Sequence, residues 1–295
     1  MRSHGWHVTG DLDDFLARAG EFLRSRPALH NTSLTDIERL RTRPQTRHGT
    51  GPAVFGRLEA GGEVRAVFHL TPRGRLGLTP LPAGQTDTLA ALLTGLGHLP
   101  AHVIADHDTA GAYARAQRRH TGATPERFWR THLYRLGTLT VPRPRPEGHG
   151  RLAGGQDRAH VVRWCREFCV TVGERPSIEL IDAGAWDDSR FGDRHFTFWE
   201  TPDGTPVSMA AATSVIGGMV RVDPVYTPAH LRGRGYAGAV TAEVSRAALA
   251  AGARDVVLFT DPANPTSNAL YQRIGYVHVT DFAGYRFSYS TGQSG

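Results

Sequence analysis

Apolar residues recur at helical spacing in some stretches of the chain and at alternating spacing in others. The helical pattern covers about 11–24 and 33–41. Two alternating runs follow, GPAVFGRLE and GEVRAVFHL, and the Gly61-Gly62 pair between them predicts a hairpin. A helix over about 85–96 leads to a short strand, HVIAD, then to a helix over about 109–120 and a strand over 131–139. The stretch 141–157, VPRPRPEGHGRLAGGQD, has no apolar period, and its prolines and glycines predict an interdomain linker. Beyond it, Val161, Trp164, Cys165, Phe168, Cys169 and Val172 share a helical face, so a helix spans 158–172 and a shorter one follows at SIELIDAGA. Strands RHFTFWE, PVSMAAAT and GMVRVDPVYT come next, the first two joined by a turn at Pro202-Asp203-Gly204. A glycine loop, HLRGRG, opens a helix from Tyr236 to about Ala251 that stops at Gly252. A buried-type strand, DVVLFTD, precedes a short helix within NPTSNALYQRIGY. Two final strands, YVHVT and YRFSY, end the pattern.

After the linker the order is therefore α-α-β-β-β-α-β-α-β-β, which predicts an α/β fold on a mixed sheet. The length, 295 residues, suits two domains, and 40% hydrophobic content excludes a disordered chain. No apolar run approaches the roughly 18 residues of a membrane helix, and the N-terminus has no apolar signal segment. Two cysteines, Cys165 and Cys169, cannot make a disulfide framework, so the expected location is cytoplasmic. Four residues apart on one helical face, they read as core residues, because two thiolates alone do not complete a zinc site.

All 34 basic residues are arginine, which excludes a Lys Schiff base and a P-loop Lys. Residues 1–148 carry a net charge of +7 and residues 149–295 a net charge of −1. The arginines of the basic half are scattered apart from Arg39, Arg41, Arg43 and Arg47. This describes a solvated surface rather than a nucleic-acid footprint. Among the 15 histidines, His98, His102 and His107 straddle a helix-to-strand change and should not converge, so dispersed surface histidines and no metal are expected.

Candidate chemistry concentrates in one segment. Pro224 cannot donate to a sheet ladder, so its strand should bulge there and free the backbone of Val225, Tyr226 and Thr227 for another partner. Arg232, Gly233, Arg234, Gly235, Tyr236 and Ala237 then lead into a helix. Glycine-permitted N–H groups at a helix N-terminus make an anion nest suited to a diphosphate. Gly233, Gly235 and Gly238 also spell the dinucleotide fingerprint, but the further βαβ units of that fold are missing.

Arg232, Gly235 and Ala237 match the Arg-x-x-Gly-x-Ala pyrophosphate loop of acetyl-CoA-dependent N-acetyltransferases. At this point the chain resembles the GNAT acyltransferase superfamily, over about residues 155–290. A second motif agrees: Asn264, Tyr271 and Gly275-Tyr276 stand where that family has its pantetheine-bonding Asn, its Tyr and its Gly-aromatic pair. In style the two motifs are similar to the glycine-N-acyltransferase-like branch. The resemblance implies that acetyl-CoA lies against 225–227, 232–237, Asn264, Ser267 and Tyr271. It further implies that Tyr271 protonates the departing thiolate and that acetyl passes to a primary amine of a small molecule. Glu200 and Asp223 are the nearest acids that could take the amine proton. Residues 1–140 repeat the layout without the motifs and are expected to be a degenerate GNAT-like lobe, with 141–157 as linker and 158–290 as the catalytic domain. Each lobe should be a twisted, mostly antiparallel sheet flanked by helices. A non-catalytic acyl-CoA-binding protein, or one that acetylates a peptide amine, remains open on these residues.

Overall fold

A computed structural model of the chain describes residues 5–42, 51–82, 84–183 and 193–289. The chain divides into two compact units, one made of 1–133 with 279–295 and the other of 134–278. No described helix is long and apolar enough to cross a membrane.

The first unit runs β1 (Gly5–Thr9), α1 (Leu12–Ser25), α2 (Asn31–Thr42), β2 (Val54–Ala60), β3 (Glu63–Leu70), β4 (Arg75–Leu78), α3 (Gln85–Gly95), β5 (His102–Asp106) and α4 (His107–Thr121). The helix α1 starts where Asp11 accepts hydrogen bonds from the N–H groups of Asp13 and Asp14, at 2.8 and 3.1 Å. It buries Phe15, Ala19 and Leu23. Strands β1 to β4 pair antiparallel in sequence, whereas β4 pairs parallel with β5 across the α3 crossover. The core gathers Phe68, Leu76, Leu89, Val103 and Tyr113 between this sheet and helices α3 and α4.

Two strands cross the boundary between the units, β6 (Thr124–Leu136) and β12 (Tyr276–Ser288). Both differ from expectation. The first starts seven residues early, because Pro125, Glu126 and Arg127 hide its alternation from the sequence. The last 13 residues of regular structure form one strand rather than two. Gly284, between the two expected strands, pairs with Ile104 in an unbroken antiparallel register. A Cβ there would lie 2.7 Å from the Phe128 ring, so this glycine serves a close approach and not a turn.

The second unit adds β7 (His149–Leu152), α5 (Arg158–Val172), α6 (Arg175–Asp182), β8 (Arg194–Glu200), β9 (Pro206–Thr213), β10 (Met219–Tyr226), α7 (Tyr236–Ala250), β11 (Asp255–Thr260) and α8 (Pro265–Arg273). The end of the expected helix SIELIDAGA lies outside the described residues. Strands β7 to β10 pair antiparallel in order, and β10 pairs parallel with β11 across α7. Each unit is thus a mixed, mostly antiparallel sheet with one parallel pair and flanking helices. The sequence pattern missed β1, β4 and β7, two of which have only four residues, too few to show a period.

One face of the second sheet packs on α5 and α6 through Trp164, Cys165, Cys169, Phe196, Phe198 and Tyr226. The other face packs on α7 and α8 through Val220, Val222, Val240, Leu258 and Tyr271. Both cysteines are buried in the first of these cores.

Candidate functional site

Parallel pairing of β10 with β11 runs from Met219 and Asp255 to Val222 and Leu258 and stops there, although both strands continue. The cause is local. On its other edge β10 slips register against β9 between Val222 and Val225, at Asp223-Pro224, as the missing proline donor predicts. The extra residue reverses side-chain parity. Val220 and Val222 face α7 and α8, Val225 returns to that side, and Tyr226 turns to the α5 core. There its hydroxyl donates to Glu167 at 2.7 Å, and burial, followed by that bond, pushes its pKa up to about 12.

The backbone beyond the slip is partly committed. The Ser208 hydroxyl donates to the Tyr226 carbonyl at 3.0 Å, and Arg232 Nε donates to the Thr227 carbonyl at 3.0 Å. The second contact folds the loop over the strand end and aligns its glycines. Gly233 and Gly235 have φ of +78° and +82°, a left-handed conformation that glycine adopts without strain. Gly235 is the N-cap of α7, so the free N–H groups of that helix start at Tyr236 and Ala237. Space beside Gly233 is open. A glycine-shaped cradle of N–H donors at the positive end of a 15-residue helix fits a diphosphate. The side chain of Arg234 reaches only the His230 carbonyl, at 3.5 Å.

The segment expected as a linker lies on this same helix. A Cβ at Gly238 would meet Pro142 at 3.3 Å and Leu270 at 3.1 Å, and one at Gly235 would meet Pro146 at 3.6 Å. Further on, Arg145 stacks 5.0 Å from the centre of the Trp199 ring, whose N–H donates to the Glu147 carbonyl at 3.1 Å. Residues 142–152 are therefore a strap over the first turn of α7 that ends as strand β7. The third glycine of G-x-G-x-x-G makes room for a proline and a leucine.

Helix α8 begins at Asn264, whose side-chain oxygen accepts the Ser267 N–H at 3.0 Å. Asp261 bonds the Ala263 N–H in the preceding turn. Asn268, which sequence reasoning passed over, ties the turn down by donating to the carbonyls of Asp261 and Asn264. Tyr271 is buried one turn further on. Burial, and after it the negative charge of Asp223, push its phenol far above the ordinary value. The carboxylate of Asp223, 45% exposed, is held at 2.6 Å by Arg194, whose side chain is only 3% exposed. Nothing in the sequence marked Arg194, since β8 and β10 meet only through β9.

Glu200 is set apart from these groups. Val222 aligns with Ala212 and Ala212 with His195, which places Glu200 five residues further along β8, roughly 16 Å of strand. It is buried and bonded to Arg151 at 2.7 Å, and Arg151 also grips Asp157 at 2.7 Å. These contacts fasten β7 and the start of α5 to β8.

Residues 160–276 match the model of the acetyltransferase (GNAT) family. No curated protein matches the chain by sequence. Solved structures are similar in fold along nearly the whole length. A GCN5-related N-acetyltransferase from Kribbella flavida is 18% identical with a TM-score of 0.51, over 86% of this chain and 95% of that one. Another, from Sphaerobacter thermophilus, is 17% identical with a TM-score of 0.53, over 95% of each chain. A tandem GNAT protein from the clavulanic acid biosynthesis pathway is 13% identical with a TM-score of 0.54, over 96% of this chain and 98% of that one.

Proposed function

We propose that this chain, which carries a GNAT-family acetyltransferase segment, moves an acetyl group from acetyl-CoA to a primary amine of a small molecule. The observation that supports this best is the break between β10 and β11. It opens beside a glycine-shaped anion cradle, with a buried tyrosine and an ion-paired aspartate at its edge. The diphosphate would bind the N–H groups of 233–237, and the pantetheine arm would extend along Val225 into the break. Asn264 and Ser267 would border the arm.

Catalysis then rests on positioning and proton management. The amine nitrogen attacks the thioester carbonyl carbon, forming the C–N bond, and collapse of the tetrahedral adduct breaks the C–S bond. The Tyr271 hydroxyl donates its proton to the leaving sulfur. Asp223 accepts the proton released from the amine, directly or through water. Arg194 fixes one oxygen of Asp223 at 2.6 Å, and the carboxylate is 45% exposed, so it can still meet the acceptor amine. Glu200 has no part in this scheme, being tied to Arg151. The first unit has the same β-α-β crossover but no Arg-x-x-Gly-x-Gly loop, which fits a degenerate GNAT-like lobe that binds no acetyl-CoA.

Calorimetry with acetyl-CoA, paired with a thiol-release assay over a panel of amines, tests the proposal. One acetyl-CoA per chain and amine-dependent thiol release are expected. Binding without thiol release from any amine would favour a non-catalytic acyl-CoA sensor. No binding would overturn the assignment.

A further inference from the structure

The first unit holds a cavity of about 190 Å³ lined chiefly by Asp36, Arg39, Thr71, Arg73, Arg75 and His102. Helix α2 delivers Asp36 to its floor almost fully buried. The carboxylate meets His69 Nε2 at 3.1 Å, Arg75 at 3.1 Å and Arg39 at 3.7 Å. The turn between β3 and β4 supplies the opposite wall. It is clamped by the Gly74 N–H donating to the Thr71 carbonyl at 2.8 Å and by the Ala101 N–H donating to the Gly74 carbonyl at 2.8 Å. Arg73 projects from this turn and is exposed.

Three guanidinium groups and one carboxylate line the cavity, so cations outnumber anions there when His102 is neutral. His102 is indeed held neutral. Burial first, then the cations Arg75 and Arg286, push its pKa down to about 4. The Nε of Arg75 is buried without a hydrogen-bond partner. A buried donor left unsatisfied beside surplus positive charge is a place where an acceptor is missing. The Thr71 oxygen accepts the Arg75 N–H at 3.2 Å, which leaves its hydroxyl hydrogen to donate inward.

We propose that this cavity binds a small phosphate dianion, gripped by Arg73 and Arg75 and capped by the Thr71 hydroxyl. Planar guanidinium forks match phosphate oxygens, and an anion suits a lining in which cations outnumber the one carboxylate. The volume holds several waters and therefore a phosphate. The site belongs to the first unit alone and does not depend on acetyl-CoA binding in the second.

The test is calorimetric titration of the full chain with inorganic phosphate at low ionic strength, with glycerol 3-phosphate as a second arm. One site per chain is expected. Tighter binding of glycerol 3-phosphate would identify a phosphomonoester as the ligand, and equal or weaker binding would identify free phosphate. Arg73→Ala should weaken binding roughly tenfold without moving the melting temperature, because Arg73 is exposed and outside the Asp36 ion pairs. Arg73→Lys should fall between the two. The absence of saturable binding overturns the proposal. So does equal binding by wild type and Arg73→Ala, which would place the phosphate elsewhere, for instance on 232–237.

Discussion

Tyr271 carries two properties that conflict in most tyrosines. In the proposed reaction its hydroxyl donates a proton, yet burial, and after it the charge of Asp223, resist its ionisation. Both influences favour the neutral phenol, so the group stays protonated well into the alkaline range. Tyr271→Phe should therefore lower kcat by roughly 100-fold and leave acetyl-CoA affinity unchanged, as steady-state kinetics and calorimetry would show. An unchanged kcat at every pH would make the residue structural.

Asp36 shows the opposite balance. Burial works against its charge, but Arg75, His69 and Arg39 together outweigh burial and hold its pKa well below the usual carboxylate range. A carboxylate with a depressed folded pKa adds stability that is complete above the unfolded value, near 4, and disappears as the pH falls toward the folded one. Urea denaturation should show wild-type stability dropping below about pH 4. Asp36→Asn should cost about 3 kcal/mol at pH 7, because Arg75 and Arg39 lose their shared anion, and should flatten that acid limb.

At the scale of elements, the loop and helix α7 form one device. A left-handed Gly235 turns the chain so that the helix N-terminus points out of the loop. Gly235→Glu adds a strained φ, a side chain against Pro146 and a negative charge beside the N–H cradle. Acetyl-CoA binding should be abolished in calorimetry, while thermal stability falls by only about 1–2 kcal/mol. The strap at 142–152 falls within the stretch expected as a linker. Proline and glycine density predicted a linker, but it did not reveal that Pro142 would lie against Gly238 and Pro146 against Gly235.

At the scale of the whole molecule, the division of the chain does not follow chain order. The first unit needs 279–289, since Phe282 to Arg286 pair with Asp106 to His102. The second needs residues before the strap: Arg135 faces Asp255, the Gly137 N–H donates to the Gly275 carbonyl, and Tyr134 accepts from Gln272. Fragments cut at the apparent linker, 1–140 and 150–295, each lack a piece of their own unit. Neither should melt cooperatively by circular dichroism at the temperature of the intact chain. A parental transition in either fragment would contradict this division.

Much of the candidate site was legible one residue at a time. Pro224 announces its bulge, Gly233 and Gly235 announce a loop of positive φ, and Asn264 announces a helix start, because each acts through its own backbone. Helices α1 to α8 were visible for a related reason, since their buried faces repeat within a few residues. What stayed hidden depends on partners distant in sequence. Arg194 reaches Asp223 because β8, β9 and β10 align in register, and the same register carries Glu200 away from Asp223. Gly284 looks like a turn until Phe128 is seen against it. Local backbone preference is written in neighbouring residues, but which charges meet, and which strand joins which unit, is decided only when the chain packs.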